Sequence, residues 1–334
     1  MQREWLIAVL MATLALAAIA GCGEGEGPAT PSDPGEAGPL TVAVIPKATM
    51  HVFWKSIHAG ARKAERELEG VKIIWQGPAV EDDRGAQIAL VETFVQKRVD
   101  GIVLAPLDDK ALIAPVRAAG RAGVPVVIID SALADPEAYV SFVATDNHRG
   151  GRMAARQLAA LVGGQGKVIV LRYQVGSASN ANREAGFLDE MAGRPGIEVV
   201  SSDQYGGPTV ETALTASEAL LAKFGEGQVD GLFCPNEPLA WGMLRALAAA
   251  GRAGKVKFVA FDASDRLLEA LKDGRLHALV VQDPVRMAYE GVKAVVDHLR
   301  GRAVEKRIDT GVVLVTPENL SDPKIDRLVH PPLE

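Results

Sequence analysis

From residue 40 onward, short runs of Val, Ile and Leu alternate with longer stretches whose apolar residues recur every three or four positions. Runs this continuous predict parallel strands buried on both faces, and the stretches between them predict amphipathic helices as cover. In a first half, strands are expected over 40–45, 71–75, 101–105, 124–130 and 139–144. Helices are expected there over 52–68 and 84–97, with one ending near Gly120 and another starting near Arg149. The second half repeats the rhythm, with strands over 167–171, 197–201, 231–234, 257–262 and 277–281, a helix over 285–299 and a last strand over 312–315. The class is α/β, with two Rossmann-like doubly wound parallel-sheet lobes.

Two landmarks are written twice. Val99-Asp100-Gly101-Ile102-Val103-Leu104-Ala105-Pro106 recurs as Val229-Asp230-Gly231-Leu232-Phe233-Cys234-Pro235. Each copy is followed by an apolar strand closing on a carboxylate, at Asp130 and at Asp262. Open α/β sheets bind ligands outside the carboxyl ends of their strands. Two such halves facing one another make a clamp for a small polar ligand, and the chemistry belongs where the strands stop.

The turn after the first strand, Pro46-Lys47-Ala48-Thr49-Met50-His51-Val52-Phe53-Trp54, has no glycine. A dinucleotide site needs glycine there so that the backbone can approach a pyrophosphate, which argues against NAD or FAD. The turn offers instead an imidazole and two large rings, Phe53 and Trp54, suited to the apolar face of a sugar; alternatively, one ring caps the core under the first helix. Asp130 and Asp262 can each accept two hydroxyls, the chemistry that grips a polyol, although an Asp at this point also serves as a helix N-cap. Thr145-Asp146-Asn147 can cap the helix that follows, mark a crossing between lobes, or both. Arg183 has a planar fork for ring and hydroxyl oxygens, or else makes a surface ion pair. Asn236 and Gln282 add amides that suit neutral hydroxyls. No His-Glu-x-x-His or Cys-x-x-Cys spacing occurs, so no metal, cofactor or catalytic constellation is expected. Paired Asp residues serve as acid and base in glycosidases, but a clamp assumes less.

Composition and address narrow the reading. The 334 residues are 48% apolar and 23% charged, ample for two cores, and a net charge of −6 leaves no basic footprint for nucleic acid. Arg3 and the apolar run from Leu6 to Ala20 form a secretory signal too short to span a bilayer. It closes on Ile19-Ala20-Gly21-Cys22, which resembles the bacterial lipobox, so cleavage before Cys22 and lipidation of its thiol are expected; an ordinary signal peptide is the alternative. Residues 22–39 have the Gly, Pro and Glu content of a flexible tether. Cys234, the other cysteine, ends a buried strand and reads as a small hydrophobe.

These motifs, with Gly150-Gly151, Gly186-Phe187 and Gly242-x-x-Arg245-Ala246-Leu247, make residues 40–316 similar to the ribose-binding-protein-like sugar receptors of ABC importers, in the type I periplasmic binding protein family. The resemblance implies lobes joined by a three-crossing hinge near Thr145, Gln282 and Gly311. Residues 40–145 plus 283–311 then form one lobe, and 146–282 plus 312–334 the other. It also implies a ligand-binding set of His51, Phe53, Trp54, Asp130, Ser131, Thr145, Ser179, Arg183, Tyr205, Asn236, Asp262 and Gln282. The implied protein is a lipid-anchored extracytoplasmic monomer that passes a small neutral polyhydroxylated ligand to an ABC permease. A sensor for a chemoreceptor or histidine kinase is the alternative; an exported sugar-active enzyme and a transcription regulator of the same fold stand further off. Ribose receptors have Asn where His51 stands, Arg where Ser131 stands and an amide at Ala105. Three altered contacts, each worth about 1–3 kcal/mol if left unmatched, argue against ribose itself.

Overall fold

The computed structural model describes residues 38–333. The expected signal peptide, Cys22 and all but the last two residues of the expected tether lie outside the described residues. Two six-stranded sheets repeat one topology. The first orders β1 (Leu40–Ile45), β2 (Val71–Trp75), β3 (Gly101–Leu104), β4 (Val126–Ile129), β5 (Ser141–Ala144) and β11 (Arg307–Asp309) as β11-β5-β4-β3-β1-β2, all parallel. The second orders β6 (Gly166–Val170), β7 (Ile197–Ser201), β8 (Gly231–Cys234), β9 (Lys257–Phe261), β10 (Ala278–Val281) and β12 (Val313–Val315) as β12-β10-β9-β8-β6-β7, with only β12 antiparallel.

Both faces of each sheet are dry, as the unbroken Val/Ile runs require. In β1, Val42 and Val44 pack with Val103 and Val127 under α1 (Val52–Glu67) and α9 (Pro284–Leu299). Ala43 and Ile45 point the other way, with Leu104 and Ile128, onto α2 (Arg84–Gln96) and α3 (Ile113–Arg121). The second sheet is covered likewise by α4 (Asn147–Leu161) and α5 (Ala178–Ala192) on one face and by α6 (Val210–Lys223), α7 (Glu237–Ala249) and α8 (Asp265–Lys272) on the other. Each such Val, Leu or Ile contributes about 1.5–3 kcal/mol by leaving water. Helices α4 and α5 touch backbone to backbone. A side chain at Gly151 would run into the Arg183 carbonyl, and one at Gly186 into the His148 carbonyl. That close approach brings Arg183 beside Asn147.

The chain crosses between sheets after β5, after β10, and between β11 and β12. Asp146 caps α4 through Arg149 N–H at 2.9 Å, and Asp283 caps α9 through Arg286 N–H at 2.9 Å. The Thr145 hydroxyl donates to Gly311 O at 3.0 Å, tying the first crossing to the third. Two elements were not legible in the pattern: β11, whose three residues are a charged edge, and α10 (Pro323–Val329), whose Ile325 and Val329 sit in the second lobe's core.

Candidate functional site

The carboxyl ends of the strands of both lobes converge on one cavity between them. Its lining includes Lys47, His51, Phe53, Trp54, Glu81 and Asp130 from the first lobe. The second lobe adds Ser179, Asn180, Arg183, Asn236, Asp262 and Gln282. About 30 Å³ stays free among these side chains, room for two or three waters. A small ligand therefore enters only when the lobes part and the polar pairs re-form around it.

Backbone strain marks two positions. Three non-glycine residues among the described ones have positive φ, and two of them are Asp130 at 63° and Asp262 at 72°. Each stands one residue past the end of a central strand, β4 or β9, and neither caps a helix. At Asp130 the turn is closed by Ser131 N–H donating to Ile129 O at 2.7 Å. Such strain, of order 1–3 kcal/mol, clusters at functional sites because it aims a side chain.

Each carboxylate meets a cation. Lys47 Nζ lies 2.7 Å from Asp130 Oδ2, with both side chains buried, and also donates to Ser179 Oγ of the other lobe at 3.2 Å. Arg183 Nη1 lies 3.7 Å from Asp262 Oδ2, and Gln282 Nε2 donates to Asp262 Oδ1 at 2.6 Å. Burial pushes the Asp262 carboxyl above its ordinary value, against the pull of Arg183 and the Gln282 bond. Arg183 is itself held by Asn147 Oδ1 at 2.7 Å and Pro235 O at 2.9 Å, with its guanidinium 3.9 Å from the Phe261 ring centre. Gln282 Oε1 and Asn180 Oδ1 are buried acceptors with no hydrogen-bond partner in the protein. The Asn236 oxygen caps α7 through Leu239 N–H at 3.2 Å, and its amide keeps two N–H donors.

Further bonds cross the cleft. His51 Nε2 donates to Glu237 Oε2 at 2.8 Å, while Ser264 Oγ donates to Glu237 Oε1 at 3.0 Å. Burial lowers the His51 imidazole, but the Glu237 bond, with Glu81 and Asp262 nearby, outweighs it and leaves the group above its ordinary value. Burial would raise Glu237, yet the His51 bond holds it below the usual carboxylate range. In the neutral ring His51 Nδ1 also accepts the Phe53 N–H at 3.2 Å, a bond that protonation of Nδ1 would break. Glu81 takes Trp54 Nε1–H at 2.6 Å and the Tyr173 hydroxyl at 2.8 Å from the opposite lobe.

Nine of the twelve expected residues surround this cavity, and three do not. Ser131 lies beneath it, its hydroxyl accepting Ser179 N–H at 3.1 Å. Thr145 is spent on the crossings. Tyr205 is 41% exposed beside Arg172, away from the cavity, because β7 leads its loop outward to the sheet edge. Trp54 lines the space but is buried in the first lobe's core, where its ring meets Phe53 at 89°. The core-capping alternative holds for Trp54, leaving Phe53 as the freer ring. Among the described residues no group of three or more His, Cys, Asp or Glu side chains is set to hold a metal.

The family model for the periplasmic binding protein domain matches residues 42–303. The chain belongs to the periplasmic binding protein family. Among curated relatives, this periplasmic binding protein is 32% identical over 286 residues to the D-ribose/D-allose-binding protein of Pseudomonas aeruginosa, covering 82% of this chain and 88% of the relative. Among solved structures it resembles a carbohydrate transporter solute binding protein of Agrobacterium radiobacter in complex with D-arabinose, with TM-score 0.83, 37% identity, and coverage of 88% of this chain and 100% of that one. An ABC transporter solute binding protein of Agrobacterium vitis with bound D-fucose also has TM-score 0.83, at 38% identity, covering 87% and 100%. These relatives are binding proteins rather than enzymes. In this member of the family, sequence reasoning missed Lys47, Glu81, Asn180 and Glu237. Lys47 and Glu81 sit in loops and meet partners far along the chain, and the meeting of the lobes sets Glu237 against His51.

Proposed function

We propose that this protein is an extracytoplasmic solute-binding protein, anchored through lipidated Cys22, that captures a neutral monosaccharide or polyol and delivers it as a monomer to an ABC permease. The observation that carries the reading is the mixed donor and acceptor character of the cavity wall. Asp130 and Asp262 each face a cation at close range, while buried amide oxygens of Gln282 and Asn180 still lack a donor. A hydroxyl donates and accepts, so it bonds such a mixed wall throughout, whereas an ammonium group only donates and a carboxylate only accepts. The family membership and the sugars bound by its relatives support the same class. Among the described residues no helix is long and apolar enough to cross a membrane.

Thermal-shift and calorimetric titration with D-arabinose, D-fucose, D-ribose, D-allose and common polyols tests this. A true ligand at 100 times its Kd stabilises by about 2.7 kcal/mol. Absence of a shift with every sugar and polyol removes the reading. Cys22→Ser is expected to release the protein from membranes with its affinity unchanged; retention in the membrane fraction counts against the anchor.

A further inference from the structure

Beside the inner cavity lies a second chamber of about 270 Å³. Phe53, Asp262 and Gln282 line both spaces, so the chamber continues the same cleft. Its other walls differ in kind. Val52 opens α1 on one side, and Leu328, Pro331 and Leu333 of the C-terminal segment close the other. That segment is held in place because Ile325 and Val329 are sunk in the second lobe's core. The polar groups in these walls are engaged locally. Ser56 Oγ donates to Val52 O at 3.3 Å, Ser264 Oγ to Glu237 at 3.0 Å, and His330 pairs with Asp326 at 3.0 Å, while Asp265 is exposed to water.

Away from Asp262 and Gln282 a hydroxylated unit would find few free partners in these walls, whereas an apolar one leaves water by packing against Val52, Leu328 and Leu333. An apolar cavity of about 150 Å³ is enough to hold benzene. We propose that the chamber is a subsite for an apolar aglycone. The cleft takes an alkyl or aryl glycoside, with its sugar among Asp130, Arg183, Asp262 and Gln282 and its substituent against Phe53, Val52 and Leu333. This rests on the inner cavity being a sugar site.

Calorimetric titration of the full chain with D-arabinose, D-fucose, D-ribose and D-allose, and with the methyl and phenyl α- and β-glycosides of each, tests the assignment. The phenyl glycoside of one anomer is expected to bind about tenfold more tightly than its free sugar. Val52→Asp and Leu333→Asp are each expected to erase that advantage and leave affinity for the free sugar unchanged. Neither change threatens the fold, since Asp suits the first turn of α1 and Leu333 is 49% exposed. Weaker binding of every glycoside than of its free sugar overturns the subsite and leaves the sugar reading intact. Survival of the phenyl advantage in both variants overturns the placement. If neither sugars nor glycosides bind, both readings fall.

Discussion

Asp130 and Asp262 end equivalent strands, share a left-handed backbone and face one cavity, yet the two lobes balance them differently. Asp262 is held inside its own lobe by Arg183, whose other bonds tie α4 to the loop after β8. Asp130 is met by Lys47, whose second bond reaches across to Ser179. The repeated topology thus places both carboxylates, and the partner decides whether each supports the fold of a lobe or the closing of the cleft.

That contrast breaks first at Arg183. Arg183→Ala strands buried Asp262, Asn147 and the Pro235 carbonyl, so denaturant unfolding should show a loss of about 3–5 kcal/mol. Lys47→Met should cost only about 1–2 kcal/mol in unfolding, because opening of the lobes lets water reach Asp130, while affinity falls about tenfold. Equal losses of stability from the two variants would erase the distinction. Smaller is the effect of pH on the His51–Glu237 bridge. With His51 raised above 6.5, its share is fully present below that pH and is lost as pH rises through the raised value. With Glu237 lowered from 4.5, its share is present above that pH and is lost only as pH falls through the depressed value. Affinity should therefore drop a few-fold between pH 6 and pH 8, because a protonated Nδ1 also forfeits the Phe53 N–H bond and limits the gain; His51→Gln should flatten the profile. Tyr205→Ala should change affinity least, within about 0.5 kcal/mol, since the ring stands outside the cavity.

The strand rhythm was legible because both faces of each sheet are buried, leaving little polar interruption to mislead. The doubled Asp signal was legible for a related reason: a carboxylate directly after an apolar run has few places to go. Tyr205 stands apart from the cavity because sequence proximity to a strand end does not say whether a loop turns toward the cleft or toward the sheet edge. Thr145 stands at the crossing where it was expected, with its hydroxyl bonded to Gly311 O rather than lining the cavity. Lys47 and Glu81 were invisible because their partners lie far along the chain: Glu81 meets Tyr173, and Lys47 meets Asp130 and Ser179. The meeting of the lobes sets such groups against partners across the cleft, and hydropathy along the chain carries no record of it.

The central claim is tested most directly by calorimetric titration of the protein and its Asp262→Asn variant with D-arabinose and D-fucose. Asn tolerates the left-handed backbone and keeps the shape while removing the charge that faces Arg183. The account predicts binding of one stoichiometric sugar by the native protein and a loss of about 10- to 100-fold in the variant. Tight binding that ignores the substitution would place the sugar outside the cleft and contradict the account.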